Sequence, residues 1–163
     1  MKHLDTLATA TRHAAGATLM GALQTLNSAM PAPRNTTQAL RCFVVEDSAV
    51  IRQNLVATLE ELLDVEVVGS AEDERGAIDW LQRGGDCNLM IIDIFLRSGT
   101  GLEVLRRARI DRPEAHLVVL TNYATADIRR RCAQLGADRV FDKSAELDEL
   151  LAYCAELATS GPH

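Results

Sequence analysis

No run of about 18 apolar residues occurs in the 163-residue chain, so a membrane-spanning helix is excluded. Positive charge is also short: the formal net charge is −6, whereas a dedicated nucleic-acid binder needs a basic face. The four cysteines, Cys42, Cys87, Cys132 and Cys154, form no C-x-x-C pair and lie in or beside apolar stretches. That pattern suits the reduced, buried thiols of a cytoplasmic protein better than a disulfide framework or a zinc site. What remains is ordinary. Hydrophobic residues make up 47% of the chain and charged residues 25%, which excludes collagen-like and wholly disordered chains. The length suits a single domain.

Charge is unevenly distributed. Lys2, Arg12 and Arg34 against Asp5 give residues 1–40 a net charge of +2. The remainder carries 14 basic and 22 acidic side chains, a net of −8. The break falls near Pro31 and Pro33, in the polar stretch PAPRNTTQ, which reads as a linker. The expected organisation is a basic, loosely ordered extension and linker over 1–40 and an acidic domain over 41–163. Leu4, Leu7, Leu19, Leu23 and Leu26 recur at helical steps. The alternative for the extension is therefore a weakly amphipathic helix that binds a partner or pairs two copies into a homodimer. A secretory signal fits poorly, because Arg12 and His13 interrupt the apolar stretch it requires.

From Arg41 onward, short apolar runs alternate with helical patterns. The runs are Cys42–Val45, Val65–Val68, Leu89–Ile92, Leu117–Leu120 and Val140–Phe141. After the first, Ser48 is a natural N-cap for a helix carrying Ile51, Leu55, Leu59 and Leu62. The second helix centres on Ala77, Ile78 and Leu81 and closes at Gly84-Gly85. The third carries Leu102, Leu105 and Ala108; the fourth carries Ile128, Cys132 and Leu135 and ends at Gly136. The fifth is expected to start at Ser144 and run through Leu147, Leu150, Leu151, Cys154 and Leu157. This alternation predicts an α/β fold: a doubly wound, five-stranded parallel sheet in order 2-1-3-4-5, with helices on both faces.

Ligand sites in such folds lie at the carboxyl ends of the strands. There, VVEDS places Glu46 and Asp47, MIID places Asp93, LVVLT places Thr121 and VFDK places Lys143. Two carboxylates about 4 Å apart repel by roughly 4 kcal/mol at an effective dielectric of about 20. A trio of them calls for a cation, and an all-oxygen donor set suits Mg²⁺. Lys143 and Thr121 are then left to bind an anionic group. A metal, a carboxylate nucleophile, a lysine and a hydroxyl together suit phosphoryl transfer.

In that order and at those strand ends, Glu46-Asp47, Asp93, Gly101, Thr121 and Lys143 resemble the receiver domain of two-component response regulators, over essentially all of residues 41–163. The resemblance implies that Asp93 is phosphorylated by a histidine kinase, a phosphotransfer protein or a small acyl phosphate, with Mg²⁺ required. It implies metal binding by Asp47, Asp93 and the backbone carbonyl of Phe95, with Glu46 holding waters. Lys143 would contact the phosphoryl group and Thr121 would follow it. Such a protein is not an enzyme beyond its own phosphorylation and dephosphorylation. After Leu157 only ATSGPH remains, so a stand-alone receiver is expected. It would signal by protein contact or phosphorelay to an unnamed downstream protein, without direct nucleic-acid binding.

Four positions depart from the family pattern. Arg97 and Ser144 replace common prolines, and Ser144 can cap the last helix instead. Asn122 replaces a small residue beside the threonine. Val140 occupies the place of the switch aromatic, with Phe141 expected on the opposite face of its strand. The phosphorylation chemistry is untouched by these changes; the usual mode of readout is not implied by a valine at position 140. Among other uses of the architecture, a haloacid-dehalogenase-type phosphatase needs an aspartate where Phe95 stands. A flavodoxin-like binder needs a phosphate cradle where Glu46 and Asp47 would repel one. The remaining rival is a receiver-like interaction module that works without phosphorylation. Arg129, Arg130 and Arg131 read as a solvated helix face, because consecutive helical residues point about 100° apart.

Overall fold

The computed structural model describes residues 38–161, and most of the segment read as an extension lies outside them. Strands β1 (Leu40–Val45), β2 (Val65–Ala71), β3 (Leu89–Ile92), β4 (His116–Thr121) and β5 (Arg139–Asp142) alternate with helices. The helices are α1 (Ala49–Leu62), α2 (Glu74–Gln82), α3 (Gly101–Asp111), α4 (Ala126–Gln134) and α5 (Leu147–Ser160). All strand pairs are parallel, and the order is β2-β1-β3-β4-β5, as the alternation predicts.

Continuously apolar strands bury both faces, and successive side chains supply one face each. Phe43, Val45, Met90, Ile92, Leu117 and Val119 pack beneath α2, α3 and α4, whose contributions include Leu81, Leu105 and Cys132. Cys42, Val44, Leu89, Ile91, Val118 and Leu120 pack beneath α1 and α5, meeting Leu55, Leu59, Leu150 and Cys154. Val140 joins the first layer and Phe141 the second, the opposite-face placement expected of neighbours in a strand. All four cysteines are free and buried, and burial pushes the thiols of Cys87 and Cys154 up to about 12. Among the described residues no helix is long and apolar enough to cross a membrane.

The starts of α1 to α4 are set by side-chain caps, whereas α5 has none. Ser48, Asp73, Thr100 and Thr125 each accept a backbone N–H from the first turn of the helix that follows. Each such cap contributes about 1 kcal/mol. Gly136, at φ 101°, ends α4 in a conformation that a side chain would strain.

Three expectations are corrected. Ile51 and Leu62, which share the helical spacing of Leu55 and Leu59, are not buried with them but are 39% and 70% exposed. Ile51 lies at the open rim, where it lines a cavity, and Leu62 is the last residue of α1. β2 runs three residues further than the apolar pattern, because β1 continues to offer it partners as far as Ala71. Finally, α5 begins at Leu147 and not at Ser144. The Ser144 N–H and hydroxyl both donate to Asp142 Oδ1, at 2.8 and 2.5 Å, which spends them on a turn before the helix starts.

Candidate functional site

Sheet register brings the site together. Val45 pairs with Ile92, so the next residues, Glu46 and Asp93, leave adjacent strands side by side. The Asp93 N–H still donates to the Val45 carbonyl at 2.9 Å. Thr121 pairs with Asp142, and the Lys143 N–H donates to the Thr121 carbonyl at 2.9 Å. β5 is two strands from β3, about 10 Å away, so only a long side chain from its end can reach Asp93. Lys143 does so: its Nζ donates to Asp93 Oδ2 at 2.8 Å and to Glu46 Oε2 at 2.6 Å. The three side chains are 10%, 7% and 4% exposed. These are buried charges that bind one another.

The loop after β3 is held by its own backbone N–H groups. Phe95 N–H donates to Asp93 Oδ1 at 3.2 Å, and Gly101 N–H donates to the Ile94 carbonyl at 2.9 Å. A Cβ at Gly101 would lie 2.0 Å from the Asp93 carbonyl oxygen, so the start of α3 can approach the site only as glycine. Glu46 is fixed by the Ser48 N–H on Oε1 and by the Arg52 guanidinium on its carbonyl.

Electrostatics follow from burial and pairing. Desolvation raises the Glu46 carboxyl above the usual range, and Asp93 adds to that; Lys143 and the Ser48 N–H only partly offset it. Burial alone would lower the Lys143 ammonium, but its bonds to Asp93 and Glu46 outweigh this and raise it. Ligand oxygens of Glu46, Asp47 and Asp93 all lie within 4.8 Å of one another. Oxygen-only donors with negative charge in excess of the one buried ammonium fit a hard divalent cation such as Mg²⁺. The donor set and a metal are therefore compatible.

Thr121 is fully buried, and its Oγ1 accepts the Tyr123 N–H at 3.3 Å. The structure thus joins Glu46, Asp47, Asp93 and Lys143, and leaves the Thr121 hydroxyl bonded to its own loop. Above the acids lies a cavity of about 230 Å³ whose lining includes Asp47, Phe95, Tyr123 and Lys143. The Phe95 and Tyr123 rings meet edge to face at 5.0 Å and are 49% and 62% exposed.

Two participants escape the sequence reading. The Arg97 N–H donates to Asp47 Oδ2 at 3.0 Å, and its guanidinium lies 3.5 Å from the same oxygen. Fifty positions of sequence separate the pair, and no local pattern announces it. Arg129 is 40% exposed, yet its guanidinium bonds three separate segments around the site.

A family model described as the response regulator receiver domain matches residues 42–155. The chain belongs to that family. Among curated relatives of this receiver domain, a protein-glutamate methylesterase/protein-glutamine glutaminase of Azospirillum brasilense is 30% identical over 113 residues. That match covers 68% of this chain and 28% of the relative. The chain spans less than half the length of the curated relatives it matches. The response regulator domain of Thermotoga maritima CheB superimposes with TM-score 0.62 at 21% identity, covering 74% of this chain and 98% of that one. A response regulator from Burkholderia pseudomallei, solved with a phosphorylated aspartic acid, calcium ion and citrate, gives TM-score 0.63 at 23% identity, over 74% and 69%. Both structures share the receiver fold.

Proposed function

We propose that this receiver domain accepts a phosphoryl group on Asp93, in a Mg²⁺-dependent reaction, from a histidine kinase or phosphotransfer protein. The observation that carries the reading is the buried contact of Lys143 with Asp93 beside Glu46 and Asp47. An oxygen of Asp93 forms the new bond to phosphorus. The bond to the donor's histidine nitrogen breaks, and its electron pair leaves with the imidazole, which takes up a proton. Asp47, Asp93 and the Phe95 carbonyl would hold the metal, with Glu46 acting through water. When bound, Mg²⁺ supplies positive charge that lowers the repulsion between Asp93 and the incoming phosphoryl oxygens. Lys143 turns from its carboxylate partners to those oxygens, and Thr121 follows. The phosphorylated aspartate and calcium of the Burkholderia relative support the assignment. The output is a protein contact or onward phosphoryl transfer, and a cytoplasmic setting fits the four free thiols.

Beryllofluoride with Mg²⁺ is expected to bind and raise the melting temperature of the wild type, because a ligand of the native state alone stabilises it. Asp93→Ala is expected to show no such rise. No shift in the wild type, or an equal shift in the variant, rejects the reading. The rival is an interaction module that needs no phosphorylation, and Arg97 favours it by offering Asp47 a resident cation. Label uptake from acetyl phosphate, abolished by EDTA, would reject that rival.

A further inference from the structure

Arg97 stands in the loop between β3 and α3 and meets Asp47 through three nitrogens. Its N–H donates to Asp47 Oδ2 at 3.0 Å, its Nε lies 3.5 Å from the same oxygen, and its Nη2 donates to the Asp47 carbonyl at 3.4 Å. The backbone around it is pinned. The Ser98 carbonyl accepts the Glu74 N–H at 3.3 Å, and Glu74 Oε2 accepts the Thr100 N–H at 2.7 Å. Gly99, at φ 75°, has no room for a Cβ, which would lie 2.3 Å from that of Glu74. The arginine side chain is open to solvent: it is 81% exposed, against 19% for Asp47. A fixed backbone thus carries a cation that is free to turn. A proline at this position would supply neither the N–H nor the charge.

Charge makes the contact consequential. Glu46, Asp47 and Asp93 face Lys143 with an excess of two negative charges, and Arg97 lowers it to one. A divalent cation on Asp47 and a guanidinium about 6 Å away repel enough, even in the dielectric of water, to weaken binding about ten-fold. The ion pair itself is weak, as exposed pairs are, so an arriving metal can replace it. The released side chain has acids to turn to. Glu72 and Asp73 line, with Asp47 and Arg97, a cavity of about 190 Å³.

Resting on the phosphoryl-acceptor reading above, we propose that Arg97 is a resident counter-ion that regulates the acidic site. Its guanidinium holds Asp47 at rest, lowers the affinity for the divalent cation, and leaves the carboxylate when that cation binds. Phosphoryl acceptance then depends on a metal concentration set by this arginine as well as by the acids.

The test uses the full chain, with Mg²⁺ titrated by calorimetry at fixed ionic strength and the Arg97 Nε–H signal followed by NMR. In the wild type, Mg²⁺ is expected to shift that signal with the midpoint that calorimetry gives. Arg97→Ala keeps the backbone N–H on Asp47 and is expected to bind Mg²⁺ about ten-fold more tightly. Arg97→Gln, which keeps much of the stem, serves if the alanine variant does not fold, with a similar gain expected. Arg97→Lys keeps the charge without the fork, so its gain should be smaller than that of alanine. Arg41→Ala removes one positive charge about 17 Å away along β1, beyond the Debye length, and should change affinity less than about two-fold.

Equal affinities in the wild type and Arg97→Ala, or an equal gain in Arg41→Ala, overturn this proposal and leave the phosphoryl-acceptor reading in place. So does an Arg97 signal that bound Mg²⁺ does not move. Binding by Arg97→Ala alone upholds the proposal and rejects the Mg²⁺-dependent reading for the wild type. Binding by neither protein rejects both.

Discussion

The two ends of the sheet carry similar residue types and use them differently. At the amino end, polar side chains are spent on the backbone. Asn88 Oδ1 accepts the Arg41 N–H at 3.0 Å, and Asp138 Oδ2 accepts the Leu117 N–H at 2.7 Å. Arg109 gives its guanidinium to the carbonyls of Pro113, Ala115 and Gly136. The ion pair of Arg41 with Asp86 is open to solvent, with the aspartate 74% exposed. At the carboxyl end, Lys143, Glu46 and Asp93 are buried and bond through their side chains to one another. Groups that serve main-chain donors and acceptors cannot leave them without opening the fold. Groups that serve each other can exchange a partner for a ligand. Keeping three charges buried costs stability, a cost typical of functional sites.

The largest effect that could break this comparison is expected from Lys143→Met. It leaves two buried carboxylates without their cation and should cost about 3 kcal/mol or more in urea unfolding at neutral pH. Arg41→Ala at the other end should cost less than about 1 kcal/mol, as exposed pairs do. Equal losses would mean that the two ends do not differ. Next in size is Asp138→Ala, which strips the acceptor from the N–H of the buried Leu117 and should cost about 2 kcal/mol. Beryllofluoride binding should survive it, since the amino end serves the fold and not the ligand.

A kinetic effect follows, worth about 1.4 kcal/mol if it reaches tenfold. Phe95, two residues beyond Asp93, brings no polar group to the cavity, and Tyr123 meets its ring edge to face there. Phe95→Asn should speed hydrolysis of the aspartyl phosphate by about tenfold, by giving the attacking water a hydrogen-bond partner. Decay measured after removal of the donor checks this; equal rates would deny Phe95 any gating role. Smaller still is a dependence on pH. Burial raises the Glu46 carboxyl, so the native state holds that proton more tightly than the unfolded chain. Stability from this group is complete below the ordinary glutamate range and is lost as pH rises through the raised value. Glu46→Gln should remove that fall, read from urea midpoints between about pH 4 and 7. Lys143 acts at the other extreme, losing its contribution only as alkaline pH passes its raised value.

Much of the site was legible because parallel strands buried on both faces leave a plain signature. Runs such as LMII and LVVL end abruptly in Asp93 and Thr121, and the residue after an apolar run marks the rim. The helices were legible where a cap and a heptad-like spacing coincided, as at Ser48 with Leu55 and Leu59. They were misread at their ends. Ile51 and Leu62 fit the same spacing, yet periodicity tells which side a residue takes and not whether the sheet extends far enough to cover it. Ser144 was read as a cap because its type is right, but it lies in a turn closed on Asp142 and the helix starts only at Leu147.

The order of apolar runs and helical patterns by itself determined the fold class, the strand ends and the residue types gathered there. These depend on hydrophobic periodicity and on chain-order rules, both of which are local or nearly so. Only the tertiary structure decided which charges pair. Lys143 lies 97 residues from Glu46, Arg97 lies 50 from Asp47, and Arg129 reaches three segments at once. A long cation has many partners in reach along a sequence. Which of them it meets depends on strand register, side-chain length and the burial that forbids leaving a charge alone.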